Sequence, residues 1–384
     1  MRNNYDIIII GAGSVGTPLS CELASAGFKV CVIEKEASFG QGENKAAIGG
    51  IRATHTEEAK IYICQESLVL FSTWQEKYGD DIGWKRGGYT YPVYDRKLEN
   101  TLKNQVSLQK GYGLNIDYID KEGILSLIPQ IKSEGLLGGT YSPEDGSASP
   151  IQSAVAFYKR ARHLGVSFVF NEAVKSFSIE NKRIVALNTD RASYSSGYVI
   201  NASGSYAREI GTMAGIDLPV VSDCHEAGIT EPVRCFFRPM VVDMRKTKDS
   251  SNFYFYQSET GQIVFCITPD PPVYGINNKS SSVFLPMVSK RMIELYPRLK
   301  NIRVRRVWRG QYPNTPDGFP IIDFNDEIEN LINAVGMCGQ GFMMGPGIAG
   351  TISRKLQGKA DQKDDVIIRR LRLDRDFSGK EEFK

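Results

Sequence analysis

Residues 5 to 34, YDIIIIGAGSVGTPLSCELASAGFKVCVIE, constrain the fold more than any other stretch. Tyr5 to Ile10 is a continuous apolar run rich in β-branched residues, the pattern of a parallel strand covered on both faces. Gly11, Gly13 and Gly16 complete GxGxxG. The first suits a tight turn, the second close backbone approach to a pyrophosphate, and the third close packing of a helix on the strand. Val15, Leu19, Leu23 and Ala26 form an apolar stripe on that helix, Gly27 stops it, and Lys29 to Ile33 reads as a second strand. Glu34 follows, where an acid accepts hydrogen bonds from ribose hydroxyls. Pro18 predicts a slight distortion of the helix. Strand, glycine turn, helix, strand and acid in this order predict a bound dinucleotide, without saying which one.

The chain has 384 residues, enough for two sizeable cores, and 41% hydrophobic with 24% charged residues excludes whole-chain disorder. Its 47 basic and 44 acidic residues are too balanced to imply nucleic acid or an acidic membrane surface. Seven scattered cysteines without a CxxC favour reduced thiols, and three histidines (His55, His163, His225) argue against a His-rich metal centre. The first strand begins at once, so no cleaved signal is expected. No apolar run approaches the roughly 18 to 20 residues that span a bilayer. The expectation is a soluble, cytoplasmic protein that binds no metal.

After Glu34, a polar, glycine-dotted loop from Gln41 to His55 has Gly49 and Gly50 placed for close approach to a cofactor. Helices are expected at 56–78, 96–112, 151–164 and 287–296. Strands are expected at 84–94, 167–170, 182–188, 197–201, 219–245, 252–267, 303–309 and 331–335. The connection around Tyr118 to Pro129 is poorly described by pattern. The strand ending in Ala202, Ser203 and Gly204, and the stretch GMCGQGFMMGPGIAG (336–350), which becomes a helix, look like further backbone making room for a cofactor. Glycine-rich segments thus recur at the start, near 200 and near 340, with aromatic strand-rich pieces between. The economical arrangement is α/β: a discontinuous doubly wound cofactor domain (1–85, 143–218, 318–384) with an inserted, mainly antiparallel α+β substrate domain (86–142, 219–317). The tail from Asp361 is expected to form a final strand and then a mobile end.

The combination of IIIIGAGSVG with Glu34, IGGIRATH, VINASGSYA, GQYPNTPDGFPIID and GMCGQGFMMGPGIAG resembles the FAD-dependent glycine oxidase, sarcosine oxidase and D-amino acid oxidase family. It is most similar to the beta subunits of sarcosine oxidase and of proline or hydroxyproline dehydrogenase complexes. The resemblance implies FAD, held by Gly11, Gly13, Ser14, Gly16, Glu34 and Lys35, by Gly49, Gly50 and Ile51, by Val174, Ala202, Gly204 and Gly310, and by Gly339, Gln340, Gly341, Phe342 and Met344. The last helix would aim its positive end at the flavin. Relatives that attach flavin covalently use a cysteine or histidine where this chain has Gly310, Ala148 or Ser149, so FAD is expected to be non-covalent.

The resemblance also locates the substrate. The carboxylate-binding arginine of the TPDG stretch is replaced by Tyr312, and the lysine after the late GF pair by Met343. Arg52 is the remaining candidate for a carboxylate, with a flavin-face or structural role as its alternative. Tyr254 and Tyr256 share one strand face, read either as pocket wall or as packed sheet. His55 is expected over the flavin or in loop hydrogen bonding, and His225 in a structural role. The arginines of RVRRVWRG (303–310) suit a solvated edge or a partner contact.

The implied reaction is oxidation of an amino acid or N-alkyl amino acid such as sarcosine, glycine, proline or hydroxyproline. The oxygen-activating lysine of some relatives is replaced by Ile263 or Val264. This favours a dehydrogenase passing electrons to a partner redox subunit in a hetero-oligomer over a fast oxidase using O2. The alternatives are a 2-hydroxy acid dehydrogenase of the same superfamily and a subunit inactive without its partner.

Overall fold

The expected first strand forms at Asn3–Ile10, in the middle of an eight-stranded sheet, and Ile7, Ile8 and Ile9 are fully buried. The computed structural model describes residues 3–381. Strands Val30–Ile33 and Ser193–Asn201 run parallel on either side of the first. Ser167–Val169 and Leu331–Val335 extend the parallel sheet outwards, and Ile321–Phe324 closes one edge antiparallel. An antiparallel extension, Val174–Glu180 with Arg183–Thr189, hangs off Ser193–Asn201. One face is covered by helices Gly16–Ser25, Glu58–Tyr78, Pro150–His163 and Gly341–Leu356, whose apolar sides share a core with Ile7, Ile9, Val30 and Val32. The other face packs against the antiparallel extension and helix Ala207–Met213.

The second eight-stranded sheet draws only on residues 89–142 and 221–314. Its order is Val304–Asn314, Val221–Thr230, Ile263–Pro269, Ser250–Gln257, Met240–Asp243, Tyr89–Val93, Gly138–Ser142 and Asp117–Asp120. Every pairing is antiparallel except Met240–Asp243 with Tyr89–Val93. Alternation divides its residues cleanly. Val241, Phe253, Phe255, Phe265 and Ile267 face helix Phe284–Leu295 in one core, while Tyr89, Tyr91, Met240, Val242, Tyr254 and Tyr256 face the other way. That second face is the roof of the cavity described below.

Several expectations need correction. The expected strand 219–245 is two strands, because Pro232 and Pro239 lie in the non-strand stretch between Thr230 and Met240. The expected strand 252–267 is a hairpin turning after Gln257. The connection near Tyr118 holds strand Asp117–Asp120 and helix Lys121–Leu127, whose cap is the Asp120 side chain. The charged tail forms a helix, Gln362–Arg370, opened by a capping box in which Asp361 and Asp364 satisfy each other's backbone N–H. The segment after it is pinned down to Glu381, and residues 382–384 lie outside the described ones. Pro18 causes no break, since it is the third residue of its helix. It does remove the N–H that the Ser14 carbonyl would accept.

Candidate active site

A cavity of about 1010 Å³ runs between the two sheets, from the glycine turn to the second sheet's tyrosine face. At one end, Gly11 (φ +104°) lies so close to the neighbouring strand that a Cβ would stand 2.6 Å from the Ala202 carbonyl oxygen. Gly16 lies against Gly11 itself, where a Cβ would come within 1.9 Å of its carbonyl oxygen. Over Gly13, by contrast, a Cβ would meet nothing within 4 Å, so the backbone there opens into the cavity. Glu34 is fixed at the end of its strand by N–H groups of Ala12 (2.7 Å to Oε2) and Glu36 (2.9 Å to Oε1). Ser14, Lys35, Val174, Ala202 and Gly204 border the same end, with the Lys35 ammonium 3.2 Å from the Tyr206 ring centroid.

At the other end, helix Gly341–Leu356 begins at the cavity wall. Gly339, Gln340, Gly341, Phe342 and Met343 all border the cavity, and Gln340 Oε1 is buried without a hydrogen-bond partner among the described residues. A buried amide oxygen left open at a helix start, beside free N–H groups, suits a ligand edge carrying both donors and acceptors. Gly49, Gly50 and Gly310 line the stretch between the ends. A Cβ on Gly50 would sit 2.0 Å from the Tyr89 hydroxyl, and one on Gly310 would sit 2.6 Å from Ala46 Cβ. Gln311 N donates to Glu43 at 2.6 Å and Trp308 Nε1 to the Ala46 carbonyl at 2.8 Å, so the loop 43–46 is tied to the roof.

Arg52 enters below the roof, only 4% exposed, and donates to the Thr54 carbonyl. Burial works against its charge, but its electrostatic interactions with Tyr91, Glu381, Tyr89 and Asp145 more than offset this and hold its pKa above the ordinary value. Asp145 anchors the Arg52 loop by accepting from Ala53 N (3.0 Å), Thr54 Oγ1 (3.2 Å) and Ser142 Oγ (2.5 Å). Burial pushes its carboxyl up to about 6 despite those bonds and Arg52. In the roof, Tyr254 and Tyr312 place their hydroxyls 2.6 Å apart, and burial raises both pKa values. The Tyr312 ring is sandwiched. His225 stacks on it at 3.7 Å and 11°, and a Cβ on Gly339 would stand 2.2 Å from Tyr312 Cε2.

Most residues singled out in the sequence therefore border one cavity, Arg52, Tyr254, Tyr312 and Met343 among them. Ile51, Tyr256 and Met344 do not. Ile51 and Met344 are fully buried in the core under the first sheet, because strand and helix periodicity turn them away from their cavity-bordering neighbours. Tyr256 shares the face of Tyr254 but spends its hydroxyl on the Ile48 carbonyl at 2.7 Å, holding the glycine loop in place. Gly16 also stays off the cavity wall and acts through packing. His55 is buried away from the cavity, beside Cys64, and burial with Arg52 and Lys60 nearby lowers its pKa. Ile263 lies in the core on the far side of the roof, and Val264 does not border the cavity either.

Sequence reasoning missed Asp223, Glu43 and Lys380, all on the cavity wall, where His225, expected in a structural role, also lies. Counting by twos along DCHEAGIT (223–230) puts Asp223 and His225 on the face of Ala227, a legible signal. His225 Nε2 lies 3.2 Å from Asp223 Oδ1, which also accepts from Asn314 at 2.8 Å. Lys380 had no local signal, because a chain segment far in sequence brings it there. Among the described residues, no group of three or more His, Cys, Asp or Glu side chains is arranged to hold a metal. No helix among them is long and apolar enough to cross a membrane, and all seven cysteines are free.

Comparison with known proteins agrees with this geometry. The family model described as "FAD dependent oxidoreductase" (DAO) matches residues 6–354. Dimethylglycine dehydrogenase of Rattus norvegicus is 24% identical over 369 residues, covering 92% of this chain but 43% of that protein, so the chain spans less than half that relative's length. Sarcosine oxidase subunit beta of Arthrobacter sp is 24% identical over 364 residues, covering 92% of this chain and 87% of the relative. The crystal structure of L-proline dehydrogenase from P. horikoshii superposes with a TM-score of 0.90 at 28% identity, covering 97% of this chain and 98% of that one. The open backbone over Gly13, the fixed Glu34 carboxylate and the unpartnered Gln340 oxygen fit the phosphate, ribose and ring ends of FAD in turn. The chain belongs to the DAO family of FAD dependent oxidoreductases, and its cofactor is FAD.

Proposed function

We propose that this chain oxidises the C–N bond of an amino acid or N-alkyl amino acid, of the sarcosine, glycine, proline or hydroxyproline kind, to an imine that water hydrolyses. The observation carrying this reading is a buried, charged Arg52 beneath a roof of tyrosines, beside the helix start that suits the flavin edge. Bound FAD supplies the acceptor for the hydride that leaves the carbon bearing nitrogen. Arg52 receives the carboxylate on its planar fork and so fixes the substrate's orientation. Only one phenolic hydrogen fits between the Tyr254 and Tyr312 oxygens, so the pair has a second to give to a neighbour such as Cys266 or a substrate oxygen. Tyr89, Tyr91, Met240 and Val242 complete a largely apolar wall that excludes water around the reacting carbon.

The acceptor that reoxidises the enzyme is proposed to be a redox partner rather than O2. Similarity to a protein named as a subunit supports this. The test is anaerobic mixing with sarcosine, proline, hydroxyproline and glycine. At least one is expected to bleach the flavin band, while 2-hydroxy acids leave it intact. Failure across a broad amino acid panel, or bleaching by hydroxy acids alone, rejects the reading. On admission of air, slow recovery with little peroxide is expected, and rapid peroxide release identifies an oxidase instead.

The FAD is further proposed to be held without a covalent bond, since Gly310, Ala148 and Ser149 offer no attaching side chain like those of covalent relatives. Acid precipitation is expected to leave the yellow colour in the supernatant. Colour fixed in the pellet contradicts this.

A further inference from the structure

The loop carrying Arg52 continues into helix Glu58–Tyr78, and in the first turn of that helix Lys60 is fully buried. A buried ammonium needs a counter-charge. It comes from Glu381, more than 300 positions away in sequence, whose Oε2 lies 2.5 Å from Lys60 Nζ with both side chains sealed from solvent. Glu381 Oε1 accepts from Thr56 Oγ1 at 3.0 Å, so one carboxylate grips the Arg52 loop and the helix it enters. Glu381 is itself held: its N–H donates to the Asp317 carbonyl at 2.9 Å, and the Asp317 carboxylate is gripped by Arg375 through Nε (2.8 Å) and a terminal nitrogen (3.1 Å). Residues 375–381 are thus a strap from the TPDG turn to the Arg52 loop.

From this geometry we infer that Glu381, acting through Lys60 and Thr56, is a positioning residue that sets the Arg52 guanidinium for a substrate carboxylate. The inference rests on the reading of Arg52 given above. A bidentate clamp tolerates little displacement, and the loop from Arg52 to Thr56 has no regular structure of its own to fix it. The Arg52 loop is also tied down by Asp145, at Ala53 and Thr54, and by Gln109, whose Nε2 donates to the His55 carbonyl at 3.0 Å, while Glu381 holds its far end at Thr56. The negative potential of Glu381 also contributes to keeping Arg52 charged.

The test uses the full chain loaded with FAD and follows perturbation of the visible flavin spectrum by pyrrole-2-carboxylate and, as a control, by its uncharged carboxamide. Two variants are compared with the parent: Glu381→Gln, and the double change Lys60→Met with Glu381→Met, which removes both buried charges and protects against loss of folding. Both are expected to retain FAD and to weaken carboxylate binding by about three- to thirty-fold, with the carboxamide affected less. The inference is overturned if carboxylate affinity is unchanged in the folded, FAD-loaded variants. It is also overturned if carboxylate and carboxamide weaken equally, which is a general structural effect, or if carboxylate binding tightens, which makes Glu381 a competitor for Arg52. If the parent protein does not prefer the carboxylate, Arg52 is no carboxylate anchor, and both the proposed function and the inference fall. If it does and the variants match it, only the inference falls.

Discussion

Arg52→Lys is expected to lower kcat/KM for the amino acid substrate by about 100-fold, mainly through KM, while the protein keeps its FAD. The magnitude corresponds to losing one or two charge-assisted hydrogen bonds, each contributing about 1.5–3 kcal/mol. Lysine keeps the charge that Glu381 and Asp145 require nearby, so the buried electrostatics stay balanced. It cannot reproduce the planar fork, so the loss reports recognition geometry rather than charge. Steady-state kinetics, with the ratio of bound FAD to protein, measure this. An unchanged KM assigns Arg52 to a purely structural role, the alternative its sequence context left open.

Gly345→Ala is expected to lower the melting temperature by several degrees and to cut FAD retention on gel filtration by an order of magnitude or more. At an ordinary helix-interior glycine, alanine stabilises by about 1 kcal/mol, so the sign of the effect is itself the test. Here the new Cβ would stand 1.9 Å from the Ser14 carbonyl oxygen, the one left without its helical donor by Pro18. That is backbone against backbone, with no flexible side chain to move aside, and overpacking of this kind costs about 1–3 kcal/mol. Gly347 has the same relation to the Ile63 carbonyl oxygen at 2.0 Å, so the helix is wedged between two others. Any displacement is passed to its first residues, Gly341 to Met343, on the cavity wall. A melting temperature equal to or above that of the parent, with full FAD, refutes the argument.

Much of the fold was legible because its signals are local. The β-branched run from Ile7 to Ile10, the glycines after it and Glu34 each carry their meaning in their own neighbourhood. The roof was legible in part. Phe253 to Tyr256 showed that two tyrosines share a face, but which of them reaches the cavity depended on Ile48, some 200 positions earlier. His225 was undervalued for a similar reason, since its importance comes from stacking on Tyr312, which no local pattern announces. The tail is a helix where a final strand is expected, although its capping signal, Asp361 three before Asp364, stands in the sequence. Glu381 was invisible: a carboxylate near a chain's end reads as exposed unless its buried partner is known.

The alternation in the second sheet has an evolutionary consequence. Met240, Val242 and Tyr254 look into the cavity, while Val241, Phe253 and Phe255, their immediate neighbours in sequence, belong to a different core. A change on the inward set alters what the chamber accepts, and a change on the outward set alters whether the protein holds together. The two kinds of selection therefore act on interleaved but physically separate positions. Substrate preference can drift among relatives while the architecture stands still, and a library confined to Met240, Val242 and Tyr254 would sample new specificities while leaving the outward core of Val241, Phe253 and Phe255 intact.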